Sequence, residues 1–331
     1  MVSNAKKIGK YPNRLRRIEG EDMKIDIFSH ILPEKYLSVY RKKAPSIENQ
    51  IEVLTPPVVD LQIRFRLMNR YPDVLQMLTV ANVPLEKFVS PKEAVELARI
   101  ANDELADLVL KYPDKFFGAV ACLPMNDMDA ALEEVDRSIT KLRLKGVQIY
   151  CRINGEPLDT PKFKTLYQKM AGYDLPIWIH PTTNEKLDND IGIFSWPFET
   201  TSAMLRLVKS GVFVEHPNIK FVVHHAGAMV PFFAERVKWV MSLVPQPYAN
   251  IHEHFRKFYG DTAVYGHTPA LMCAYDFFGP DHLLFGTDAP LGPRWGMVED
   301  TIASIERMTI PDSDKEKILK KNAVDLLKLA L

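Results

Sequence analysis

Eight short apolar runs, each followed by a stretch with helical spacing, constrain this chain more than any other feature. The runs fall at residues 24–28, 76–81, 116–123, 146–150, 176–179, 219–224, 258–262 and 282–285. Several are rich in Val, Ile and Phe, as strands buried on both faces are. Helical patterns cover 91–111, 127–142, 160–172, 198–209, 230–243, 269–277, 298–308 and 312–331. Pro91 suits a first helical turn, Asp127 brings acidic capping chemistry, and Gly172 suits a helix C-terminus. Eight strands alternating with helices predict an α/β fold, a (β/α)8 barrel. The other parallel arrangement, an open doubly wound sheet, commonly carries a Gly-x-Gly-x-x-Gly turn after a strand, and no run here is followed by one. The connection over 34–70 is long and is expected to form an insertion over the barrel mouth. The division is then a basic arm over 1–22 and a barrel over 23–331.

Composition narrows the partners. Lys+Arg and Asp+Glu both number 42, so the chain lacks the net positive charge that nucleic acid or an anionic membrane attracts. Basic residues gather in the arm (Lys6, Lys7, Lys10, Arg14, Arg16 and Arg17), which lacks the apolar core of a signal peptide. It reads as a frayed or crossing tail, or as a docking arm for a neighbouring subunit. No apolar run approaches the roughly 20 residues that span a bilayer. Cys122, Cys151 and Cys273 are odd in number and widely spaced, with no zinc or redox motif, which suits a reducing cytoplasm.

In such a barrel, functional side chains sit where strands end and loops begin. His30 ends the first run, His180 the fifth, His225 the sixth, and Asp288 follows the eighth. Imidazole nitrogen and carboxylate oxygen are the donors that a borderline divalent ion such as zinc or manganese accepts.

The segments that carry these residues resemble the amidohydrolase superfamily, in the branch named for aminocarboxymuconate semialdehyde decarboxylase. They are Ile25-Asp-Ile-Phe-Ser-His-Ile-Leu-Pro33, Leu175-Pro-Ile-Trp-Ile-His-Pro181, His225-Ala-Gly227, Phe258-Tyr-Gly-Asp261 and Leu284-Phe-Gly-Thr-Asp-Ala-Pro290. Shorter pieces at Tyr112–Phe116, Leu144–Gln148, Pro197–Thr200 and Asn322-Ala323 also fit. The resemblance implies a TIM barrel of the metal-dependent hydrolase type. It implies one divalent metal, with zinc first and manganese or iron as alternatives, held by His30, His180 and Asp288. It gives His225 the role of acid/base, assisted by Asp288. A metal ion lowers the pKa of bound water towards about 7, within reach of an imidazole.

Two departures stand out. The family's first strand reads His-x-His, and here the first position is Phe28. Residues 26, 28 and 30 share a face of a regular strand, so Phe28 is expected where a ligand normally stands. Three protein ligands plus water still make a catalytic zinc site, and His225 could serve as a fourth. His224 is expected to point away from His225 and to be packed, and Asp26, deeper in the barrel, to be a structural hydrogen-bond acceptor. The second departure is the substrate-carboxylate arginine of the decarboxylase, which has no counterpart in the stretch 51–57. Arg64, Arg66 and Arg70 read as solvated charge on a mixed-face helix, leaving Arg152 as the anion clamp. Gln148 and Tyr150 line the site from strand four, and Trp178 either walls the pocket or belongs to the barrel core. Glu199 reads as a helix-start carboxylate. Strand four lacks the bridging lysine of binuclear members, since Lys145 comes too early, so a single-metal site is expected.

The reading that follows is a metal-dependent lyase or hydrolase acting on a small carboxylated substrate, aromatic or unsaturated, with non-oxidative decarboxylation ahead of hydrolysis. Two other readings stay open. Two histidines and a carboxylate also describe a non-haem iron oxygenase. Phe28 could instead mark a metal-poor structural or regulatory subunit beside an active paralogue. A homo-oligomer is expected, a hetero-oligomer with a paralogue being the other arrangement.

Overall fold

The computed structural model describes residues 22–329, apart from 52–55, 82, 183–191 and 244. The arm over 1–22 therefore lies almost wholly outside the described residues. All eight expected strands are present: β1 Lys24–Ile31, β2 Val74–Val80, β3 Phe116–Ala119, β4 Val147–Tyr150, β5 Ile177–His180, β6 Phe221–Val223, β7 Tyr259–Asp261 and β8 Leu283–Leu284. Their pairing is parallel and follows chain order. Strand β3 turns at Val120, and its continuation, Ala121–Cys122, pairs with β4.

The barrel closes between the last strand and the first. Ile27 N donates to Phe285 O at 2.9 Å, Asp288 N to Phe28 O at 3.0 Å and His30 N to Ala289 O at 2.6 Å. Asp26 reinforces the seam from inside, its carboxylate accepting Thr287 Oγ1 at 2.6 Å and Thr287 N at 3.1 Å. The acceptor role expected of Asp26 is the one it has. Burial raises its pKa to about 7, against the lowering effect of those bonds.

Helices coat the barrel. Helix α1 spans Glu34–Lys43, α2 Leu61–Met68, α3 Pro91–Lys111, α4 Met128–Thr140, α5 Lys164–Tyr173, α6 Ser195–Ser210, α7 Ala234–Ser242, α8 Thr268–Phe278 and α9 Val298–Glu306. Helix α3 has the expected bounds because Ser90 and Glu93 form a capping box around Pro91. Helix α5 runs past Gly172 and ends at Asp174 in the left-handed region. The expected closing helix is broken into three pieces, the middle one, Lys317–Lys321, being a π turn. That turn presents Ile318 O to Phe285 N at 2.8 Å, tying the C-terminal segment to the barrel wall. The barrel floor is an apolar plug that includes Ile25, Ile27, Met77, Phe117, Val222 and Leu284, closed from below by Ala323–Leu327.

The insertion holds α1 and α2. Pro33 cannot cap α1 with its side chain, and Glu104 of α3 does so instead, accepting Lys35 N at 3.0 Å and Tyr36 N at 2.6 Å. Arg64 corrects the expectation of a solvated helix face. It is fully buried, and its guanidinium donates to His30 O, to Ser29 Oγ at 3.1 Å and to Gln76 Oε1 at 2.8 Å. Arg66 and Arg70 are exposed as expected.

Candidate active site

Strand β1 carries an irregularity between Asp26 and Ser29, where one extra residue faces β2. Such a bulge re-aims side chains, and both Phe28 and His30 point to the barrel interior, their rings edge-on with centroids 4.5 Å apart. His30 is fixed from behind, its Nδ1 lying 3.0 Å from Thr79 Oγ1. Its Nε2 is buried without a hydrogen-bond partner and stands 3.0 Å from Asp288 Oδ1. His180 ends β5 with Nδ1 2.6 Å from Pro181 O, which leaves Nε2 as its acceptor nitrogen. Its ring lies 5.1 Å from that of His30. Burial, then the neighbouring histidines, holds His180 well below the ordinary imidazole range, so it is neutral.

Asp288 sits just beyond β8 in a left-handed conformation. Tyr265 donates to its Oδ2 at 3.0 Å. Burial pushes its pKa up, but the His30 contact and the charges of His30, His225 and His180 outweigh burial and leave the carboxyl below its usual value. It is an anion among imidazoles.

Strand β6 departs from expectation. It ends at Val223 and the chain turns left-handed at His225. His224 therefore takes the inner position. It is fully buried, stacks on Phe28 with centroids 3.5 Å apart, and approaches Asp261 Oδ2 through Nδ1 at 2.6 Å. Burial, then His225 and His30, holds His224 well below the ordinary imidazole range, and burial raises Asp261 to about 7. His225 lies at the rim, half-buried, with its ring 6.4 Å from that of His224 and its Nδ1 shielded and without a partner.

Of the expected pocket residues, Tyr150 reaches the site, its ring 5.7 Å from that of His180. Gln148 is buried in the same wall and donates to Val80 O at 3.1 Å. Arg152 and Glu199 depart from expectation, and Trp178 takes the second of its two expected places. Arg152 is no free anion clamp, because its Nε is paired with buried Glu199 Oε2 at 2.8 Å. Glu199 is thus an ion-pair partner inside α6 rather than a helix-start carboxylate. Trp178 does not wall the pocket. It is wholly buried in the floor and donates to Ile27 O at 3.2 Å.

The donors fit a divalent cation in kind. His30 and His180 have their Nδ1 atoms engaged and Nε2 left inward, His180 is neutral, and Asp288 is ionised. The spacing is looser: among the described residues, no three His, Cys, Asp or Glu side chains stand as a set around one ion. The Phe28 ring packs against His30, His180 and His224.

The amidohydrolase family model matches residues 25–329. A 2-amino-3-carboxymuconate-6-semialdehyde decarboxylase from Dictyostelium discoideum is 26% identical, over 93% of this chain and 92% of that one. A gamma-resorcylate decarboxylase from Rhodococcus jostii is 30% identical, over 82% and 89%. The crystal structure of a 2,6-dihydroxybenzoate decarboxylase from Rhizobium superposes with a TM-score of 0.77 at 26% identity, covering 93% of this chain and 99% of that one.

Proposed function

The chain belongs to the amidohydrolase family and is an enzyme of its decarboxylase branch, and on that footing we propose that it removes CO2 from a small hydroxylated aromatic carboxylic acid. The observation that carries this reading is the buried His30–His180–Asp288 cluster at the strand ends, in a chain whose matches to decarboxylases run nearly end to end. The oxygenase and regulatory-subunit readings draw no support from those matches.

His30, His180 and Asp288 would hold one divalent ion, zinc, manganese or iron. When bound, that ion supplies Lewis-acid polarisation of substrate oxygens. The protein's own groups divide the remaining work. His224, stacked on Phe28 and backed by Asp261, is buried beside His180 with its Nε2 unpartnered. His225 would deliver the proton, a role supported by its unpartnered Nδ1. The carbon–carboxylate bond breaks, its electron pair stays on the ring carbon, and a proton from His225 takes the vacated position. Asp288, kept ionised, stabilises the protonated form of His225.

A second copy of the chain is the expected partner. Phe232, Phe233, Trp239, Val240 and Leu243 are exposed together on and beside α7, an apolar face that suits a self-association surface. The three cysteines are free thiols, in keeping with a reducing cytoplasm. No helix among the described residues is long and apolar enough to cross a membrane.

The test is direct. Purified protein is incubated with 2,6-dihydroxybenzoate and related hydroxybenzoates, with zinc or manganese, and the decarboxylated phenol is quantified. Asp288→Asn and His180→Ala are expected to lower turnover by at least 100-fold. Absence of product with every acid and metal, together with equal metal retention by wild type and His180→Ala, would sink the reading.

A further inference from the structure

A group of buried polar side chains beside the site belongs to no part of the chemistry above. It lies where β2, β3 and β4 end and where α1 leans over them. Tyr36 and Tyr40 come one turn apart from α1, Glu86 comes from the short helix Leu85–Phe88, and Gln148 and Tyr150 come from β4. All five side chains are buried or nearly so, and electrostatic influence links Tyr36, Tyr40, Tyr150 and Glu86.

Several of the groups are satisfied in part: Tyr150 bonds the backbone of Val83, and the Glu86 carboxylate its own backbone. Tyr40 Oη donates to Pro84 O at 3.3 Å, and Gln148 Nε2 donates to Val80 O at 3.1 Å. The second bond fixes the amide's orientation and leaves Oε1 facing elsewhere. Three oxygens then remain shielded and without a hydrogen-bond partner: Tyr36 Oη, Glu86 Oε1 and Gln148 Oε1. Buried polar atoms are nearly always paired, and a cluster of unpaired ones calls for an absent partner. The amide oxygen accepts only, and burial raises the Glu86 pKa to about 7, so its free oxygen also suits a hydrogen-bond donor. Tyr150 connects this group of side chains to His180 by ring contact.

We propose that Tyr36, Glu86 and Gln148 form a recess that reads a hydroxyl on the substrate ring, apart from the carboxylate that is lost, and so set the enzyme's preference among hydroxylated aromatic acids. The proposal rests on the decarboxylase reading of the site and adds the residues that choose the substrate. A site built to bond a hydroxyl rejects the analogue lacking it far more strongly than an apolar pocket rejects an extra group.

The experiment uses the intact chain. Binding of 2-hydroxybenzoate and of the 2,3-, 2,4-, 2,5- and 2,6-dihydroxybenzoates is measured by calorimetry, with product formation followed separately. Wild type is expected to bind one dihydroxy isomer at least tenfold more tightly than 2-hydroxybenzoate. Tyr36→Phe and Glu86→Met are each expected to shrink that preference below threefold. Neither should lower the melting temperature of the free protein, because each removes a buried oxygen without a partner. Selective binding without product keeps the recess and removes the decarboxylase assignment. Product formation with the isomer preference intact in both variants does the reverse. Loss of thermal stability in both variants assigns the oxygens to an internal water-bridged network and overturns the recess, as does failure of every acid to bind.

Discussion

Phe28 decides how tightly this site can hold a metal. Its ring stacks on His224 and meets His30 edge-on, so the hydrocarbon fills the space between donors that otherwise face one another. Phe28→His should tighten zinc or manganese binding by at least tenfold in calorimetric titration, with a loss of about 1–3 kcal/mol in unfolding free energy from the broken packing. Unchanged metal affinity would show that the ring is not the obstacle. At this scale the sequence was partly legible. His30, His180 and Asp288 could be found because an apolar run stops at each. The turn that leaves His225 at the rim could not, because it is left-handed at His225 and Ala226, where no glycine announces it. Glu86 gave no signal either. A glutamate in a four-residue helix looks like solvent-facing polarity until the packing of α1 above it is known.

Among the elements, β1 and the insertion behave as one unit. Arg64 reaches from α2 to the carbonyl of His30 and to Ser29, and Leu32 N donates to Val58 O at 2.9 Å. A buried guanidinium with three acceptors positions the strand that bears His30. Burial lowers its pKa to about 10, still high enough to keep it charged. Arg64→Leu leaves His30 O and Gln76 Oε1 without their donor and should cost about 2–5 kcal/mol in urea unfolding, since each buried acceptor left unsatisfied costs about 1–3 kcal/mol. A loss under 1 kcal/mol would mean that the insertion is only draped over the barrel. The strands and most helix bounds were legible from periodicity and caps. Arg64 was not, because α2 has a weak apolar face and the partners of its arginine lie on other strands. The breaks in the C-terminal helix were hidden for a similar reason: they answer to Phe285, about thirty residues away.

For the whole molecule, the apolar face on and beside α7 has no cover among the described residues. Light scattering at tens of micromolar should report a dimer or larger assembly, and Trp239→Glu combined with Leu243→Glu should reduce it to monomer without changing the circular dichroism. A monomeric wild type would remove the face from consideration. The barrel itself was readable as an alternation, but its seam was not, since Asp26 and Thr287 meet only after every intervening strand is placed. That seam has a consequence for synthesis. The strand that bears His30 leaves the ribosome first, and its closing partner, residues 283–289, is made near the end. One edge of β1 therefore stands open through most of translation, exposed to any other extended chain nearby. Release of the nascent polypeptide, more than any earlier moment, is when this enzyme becomes safe from aggregation.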